Sequence, residues 1–297
     1  MGSSNDPGSD PASHTEEAIE EAPRGLRALC TRSTLTGGLT ELAWVGAHVL
    51  MYPLGTRMEA LRPDLRTRTG EQPPTVRALF ADDPLAARIP VLLVHGLVDN
   101  RSVFTVMRRN LRRRGFTHVC SWNYSPFLTD VAQAATDLGR QIERICEQTG
   151  HDRLHVVGHS LGGLIARYHV QRQGGDQRVD ALVTLGTPHQ GSILAHVMPT
   201  PLVRQLRPGS PVLRELEMPA PHCDTRITAV YSDLDQLVLP TQSGRCDHPD
   251  LGARNVLVQG VGHMSLPRNR RVIDEIAATF ARVRCTPVAE NGLAQAA

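Results

Sequence analysis

Gly158-His159-Ser160-Leu161-Gly162 places one hydroxyl between two glycines, after an apolar run and before a helix-like one. A serine in that setting reads as a nucleophile on a sharp strand-to-helix turn, the G-x-S-x-G elbow. The turn crowds the neighbouring backbone, so only very small residues fit two places before and two places after the serine. A serine hydroxyl is a poor nucleophile without a base. Where strands alternate with helices, catalytic groups collect at the carboxyl ends of the strands. The partners are therefore sought directly after later strands, in the order serine, acid, histidine. His263 follows the last strand-like run in a Gly-Val-Gly-His loop, and Asp233 and Asp235 follow the run before it. Both aspartates remain candidates at this point. His159 is read as a structural neighbour that the turn points away from the serine.

Nucleophilic attack on an acyl carbonyl also creates an oxyanion, which two backbone N–H groups commonly stabilise. One belongs to the residue after the nucleophile, Leu161. The other is expected from the loop after the first strand, Val94-His95-Gly96-Leu97, where Gly96 lets the backbone approach a substrate and makes Leu97 the donor.

These groups need a frame, and the hydrophobic pattern supplies one. Short apolar runs at 89–96, 118–124, 153–159, 179–188, 225–233 and 253–260 read as strands. Amphipathic stretches at 104–115, 130–150, 161–175 and 270–284 read as helices, with Gly150 and Gly174-Gly175 as stop signals. On the first of these helices Phe104, Met107 and Leu111 form the apolar stripe, and its five arginines read as a solvated face. Alternating strands and helices predict an α/β fold, a parallel sheet covered on both faces. Ser160 then follows a strand and opens a helix, as the elbow requires.

The remaining sequence sets limits. The net charge is only +2 and gives no global field toward nucleic acid. Every one of the 32 basic residues is Arg, which identifies no function. Six scattered cysteines make no disulfide scaffold and no zinc pattern. Cys120 and Cys146 read as core thiols, and Cys223 and Cys246, which flank a strand, as a pair able to bond. No metal or cofactor is expected; Asp247-His248-Pro249-Asp250 reads as an exposed acidic turn rather than a cation site. Residues 1–25 read as a disordered acidic tail without a secretory signal. Residues 26–87 read as an apolar helix and linker, 88–285 as the catalytic domain and 286–297 as a tail. Segment 35–55 is too polar for a membrane span, which leaves packing on the domain or contact with a membrane surface. Compartment is left open between cytoplasm and membrane periphery.

Five motifs in order, "PVLLVHGLVDNRSVF", "VVGHSLGGLIARY", "TLGTPHQGS", "YSDLDQLVLP" and "GVGHMSLP", resemble the α/β-hydrolase superfamily, and within it bacterial triacylglycerol lipases and esterases. The resemblance covers roughly 88–284. It implies Ser160 as nucleophile, His263 as base, Leu97 and Leu161 as oxyanion donors, and an acid in a D-x-x-V pattern that Asp235 matches and Asp233 does not. It implies an ester hydrolase working through an acyl-serine intermediate on lipid or short-to-medium acyl esters. Acyl transfer by the same triad is the alternative, and a non-catalytic lipid-binding module with a relic triad is a third reading. The resemblance also implies that 192–222 caps the site, with Ile193, Leu194, Val197, Met198, Leu202 and Val203 suited to an acyl chain.

Overall fold

The computed structural model describes residues 79–283, apart from positions 82, 98, 100, 126, 127 and 198. The tails 1–25 and 286–297, the apolar segment 35–55, Cys30, Cys285 and Met198 lie outside the described residues. The elements are β1 (Val91–Val94), α1 (Thr105–Arg113), β2 (Val119–Trp122), α2 (Val131–Thr149), β3 (Leu154–His159), α3 (Leu161–Arg172), β4 (Val179–Leu185), α4 (Pro201–Arg204), α5 (Pro211–Glu217), β5 (Arg226–Ser232), β6 (Arg254–Val258) and α6 (Arg270–Ala281). Among the described residues six strands form one sheet in the order β2-β1-β3-β4-β5-β6, every neighbouring pair parallel.

Side chains alternate between the two faces of a strand. Leu92 and Val94 of β1, Val156 of β3 and Leu182 of β4 therefore join one core, with Leu138 and Ile142 of α2 and Leu164 and Ile165 of α3. Val91, Leu93, Val157 and Val183 join the other, with Met107 and Leu111 of α1 and Ile273 and Ile276 of α6. Burial on both faces explains why the inner strands read as unbroken apolar runs rather than alternating ones. Helix α3 is buried along almost its whole length, between α2, the sheet and α5.

Local chemistry sets the helix limits. Asp130 caps α2 by accepting from Gln133 N at 2.8 Å, and Gly150 ends it in the left-handed conformation at φ 69°. Asn269 caps α6 by accepting from Arg271 N at 2.9 Å.

Two expectations are corrected. The packed unit begins before residue 88: Pro84–Arg88 form a 3-10 turn, and Phe80, Ala86 and Ala87 lie in the second core, with Phe80 edge-on to Phe116 at 5.2 Å. This end of the predicted linker is apolar at the positions that join the second core, so it packs instead of extending. Cys223 and Cys246 are free thiols. Cys223 Sγ donates to Val170 O at 3.6 Å, and the chain beside Cys246 is held by its own amide bonding Asn255 Oδ1 at 2.8 Å.

Candidate active site

The sheet order determines where a site can form. From β1 the chain moves outward to β2, then returns to place β3 on the other side of β1 and continues away. The loops leaving β1 and β3 therefore diverge and leave a crevice at their carboxyl ends. β1 leads into His95-Gly96-Leu97 and β3 leads into Ser160.

Ser160 has φ 53° and ψ −122°, and is the one non-glycine residue with positive φ among those described. Such a conformation costs roughly 1–3 kcal/mol and persists only where the surroundings impose it. Here they do. Ser160 N donates to Leu185 O at 2.8 Å, while Ser160 O accepts from Gly163 N and Thr187 Oγ1, both at 3.0 Å. The flanking glycines are small from necessity. A Cβ on Gly158 would fall 2.4 Å from Gly163 Cα, and one on Gly162 would fall 2.4 Å from the carbonyl oxygens of Val94 and His95. Helix α3 can thus open directly against the end of β1. Its first amide, Leu161 N–H, has no carbonyl one turn earlier to bond, as at any helix start.

His263 opens the 3-10 segment His263–Arg268 after β6, and Asp235 lies on the loop after β5. The structure brings them together: His263 Nδ1 is 2.7 Å from Asp235 Oδ2, with both side chains almost fully buried. Asp235 Oδ1 accepts from the amides of Leu237 and Val238, each at 2.9 Å, so the carboxylate cannot swing away. Since the carboxylate accepts, Nδ1 carries the proton and Nε2 is left as the basic nitrogen. Asp233 has a different partner. It is exposed and accepts from Gly260 N at 2.8 Å, pinning the loop that leads to His263.

The loop after β1, expected to carry an oxyanion donor, has a support that sequence reasoning missed. Tyr124, just beyond β2, donates its hydroxyl toward Gly96 O at 2.6 Å and His95 O at 3.1 Å. Its ring also stacks on His95 with centroids 4.2 Å apart. Leu97 follows this fixed pair, half-buried against the first core. A tyrosine at a strand end was the available signal, but nothing in the sequence ties it to a loop nearly thirty residues earlier.

The cap residues divide. Ile193, Leu194 and Val197 are exposed, Val197 by 78%. Leu202 and Val203 are buried in the first core and present no open surface, which corrects their assignment to an acyl pocket. Thr200 caps α4 and turns both inward. The cap is joined to the acid loop by Ser192, whose hydroxyl donates to Leu237 O at 2.8 Å. Its far end is joined to α3 by Arg167, a buried guanidinium that bonds Gln171 Oε1, His189 O and Leu216 O at 3.0–3.2 Å. Burial disfavours that charge and lowers the Arg167 pKa. In the acidic turn Asp250 accepts from Ala220 N at 2.7 Å, and Asp247 pairs with Arg245 at 2.9 Å. Two surface cavities, lined by Cys223, Arg226 and Thr279 and by Gly139, His169 and Gln173, include none of Ser160, Asp235 and His263.

Comparison with known proteins agrees with this architecture. Residues 89–214 match the family described as alpha/beta hydrolase fold. The mature form of Bacillus licheniformis lipase BlEst2 superposes with a TM-score of 0.56 at 16% identity, over 67% of this chain and 93% of that one. The domain has the α/β-hydrolase fold. Aspergillus fumigatus lipase B gives the same TM-score at 16% identity, covering 74% of this chain and 62% of that one. In sequence, the α/β-hydrolase domain is similar to a triacylglycerol lipase of Burkholderia plantarii, 33% identical over 128 residues, 40% of this chain and 34% of the relative. A triacylglycerol lipase of Pseudarthrobacter phenanthrenivorans is 33% identical over 125 residues, 39% of this chain and 38% of the relative. The matched stretch spans little more than a third of either relative.

Proposed function

We propose that the chain is a carboxylic ester hydrolase that works through an acyl-serine intermediate. The observation that carries this reading is the buried Asp235–His263 pair at 2.7 Å, held at the strand ends where the elbow presents Ser160. Nε2 of His263 takes the Ser160 hydroxyl proton as Oγ attacks the acyl carbonyl. Asp235 stabilises the resulting imidazolium and stays ionised. The tetrahedral oxyanion is received by the N–H groups of Leu97 and Leu161. Collapse breaks the ester C–O bond, and His263 returns the proton to the leaving alkoxide. Water then repeats the sequence on the acyl-serine: His263 takes its proton, the carboxylic acid departs, and Ser160 recovers its hydrogen.

Acyl esters of lipid type suit the exposed apolar row Ile193, Leu194 and Val197, which begins beside the acid loop. The names of the two bacterial relatives support the same substrate class. The test is hydrolysis of p-nitrophenyl esters, with fluorophosphonate labelling as the reporter of a competent serine. Wild-type protein should hydrolyse and label, and Ser160→Ala should do neither while keeping its fold. Turnover by a well-folded Ser160→Ala protein at the wild-type rate would end this reading.

A further inference from the structure

The ring next to the nucleophile is more constrained than a core-filling histidine needs to be. His159 is fully buried at the end of β3. Its Nδ1 is 3.3 Å from Asp99 Oδ2, and its Nε2 is 3.2 Å from the backbone carbonyl oxygen of His263. Its ring also lies against the His263 ring, centroids 4.8 Å apart at 42°. Both polar partners of His159 are acceptors. A neutral imidazole has one N–H and can serve only one of them. The two bonds coexist when the pair holds one further proton. Among the described residues His263 also faces this ring, with Asp235 behind it.

We propose that His159 is a positioning residue for the reaction: hydrogen-bonded to Asp99, it ties the backbone of the base loop to the strand carrying the nucleophile. Asp235 fixes the His263 ring from its Nδ1 side, and His159 fixes the same residue at its carbonyl. With both contacts made, the ring has its orientation and its distance from β3 set independently. The three chain segments meet closely: a Cβ on Gly96 would lie 3.1 Å from both Asp99 Oδ2 and Ser160 Cβ, and 3.4 Å from His159 Nδ1. Asp99 thereby links the loop that carries Leu97 to the same tether. The role rests on the hydrolase reading above, because it matters only if Ser160 and His263 act together.

The test uses the full chain and three variants. In Asp99→Asn the side-chain amide can donate to Nδ1 while a neutral ring still donates from Nε2 to His263 O, so kcat should stay within about threefold of wild type. In His159→Phe the ring remains and the tether is gone. Here kcat and the rate of fluorophosphonate labelling should fall at least tenfold, with KM within twofold. The double variant Asp99→Asn/His159→Phe also removes the carboxylate that faces the lost ring. A merely structural contact would be rescued by it, and a tether would not. Persistently low kcat in the folded double variant supports the proposal, and wild-type kcat overturns it. Nitrogen-15 NMR of the Ser160→Ala chain gives a reading that needs no folded core variant: Nε2 of His159 should carry the proton that bonds His263 O, and a bare Nε2 overturns the tether. Wild-type protein that neither hydrolyses esters nor labels overturns the hydrolase reading itself, and this role with it. An active wild type with an equally active double variant overturns this inference alone.

Discussion

Asp233 and Asp235 leave the same strand two residues apart, and their types gave no way to choose between them. Only the resemblance of Asp235-Gln-Leu-Val to a D-x-x-V pattern favoured one. The structure supplies the physical difference. Asp235 is buried with both oxygens engaged, one on His263 and one on two amides, whereas Asp233 is exposed and bonds a single loop amide. In Asp235→Asn the new amide must turn its NH₂ group toward His263 once its oxygen is kept by Leu237 and Val238. Nδ1 would then have to accept, and the proton would move to Nε2, where the base is needed. A wrong tautomer of this kind costs about 10⁴-fold in kcat. Asp233→Asn still accepts from Gly260 N and should lose less than about threefold. Steady-state ester hydrolysis by the two purified variants checks the ranking, and equal losses would remove the distinction. The partners of His159 and Tyr124 were not legible, for a related reason. Asp99 lies sixty residues from His159 in the chain and His263 more than a hundred, and composition carries no signal for such pairs.

At the level of elements, the elbow was read from two glycines and the structure says what they avoid. A Cβ at Gly162 would meet the carbonyl oxygens of Val94, at the end of β1, and of His95, in the loop after it, which are backbone atoms and cannot rotate aside. Gly162→Ala should therefore push α3 away from β1. Overpacking of this kind costs about 3 kcal/mol, and a displacement approaching 1 Å at the nucleophile is enough to lower kcat about 100-fold. Gly150 is a suitable control. It is left-handed at φ 69°, but nothing lies within 4 Å of an added Cβ. Gly150→Ala should cost about 1 kcal/mol and leave hydrolysis unchanged. Denaturant midpoints and labelling rates for both variants distinguish backbone collision from lost conformational freedom; the same activity loss at Gly150 would show that the elbow is not special. The cap was legible as an insertion without strands, but not in its orientation. Leu202 and Val203 looked as suitable for an acyl chain as Ile193, because periodicity cannot say which side of a short helix meets the core.

For the molecule as a whole, the two-layered covering of the sheet was the most legible feature, since strands buried on both faces must be apolar throughout. One residue near the start of β3 breaks that rule. His155 is fully buried between neighbours of the central strands, stacked on Phe280 with centroids 4.5 Å apart, and among the described residues neither ring nitrogen has a hydrogen-bond partner. Burial, with a smaller contribution from Arg226, holds its pKa down to about 3 from the usual 6.5. The sign of the linkage follows. Above pH 6.5 the ring is neutral in both folded and unfolded chains, so it adds no pH dependence. Below pH 6.5 the unfolded chain binds a proton that the folded chain refuses, and stability falls as the pH drops toward 3. One unit below the unfolded value, near pH 5.5, this amounts to about 1.4 kcal/mol. His189, also buried and shifted down by burial and Arg167, adds to the slope of the wild type, so the informative quantity is a difference. His155→Leu removes the titrating group and the unsatisfied nitrogens at nearly constant volume. Its unfolding free energy at pH 7.5 should be at or above that of wild type, and between pH 6.5 and 4.5 it should decline less steeply, by up to one proton per molecule. Urea unfolding of both proteins at half-unit steps measures this slope. Identical slopes would mean that His155 binds its proton in the folded chain as readily as in the unfolded one, and that the centre of the sheet is open to water or able to rearrange around a charge.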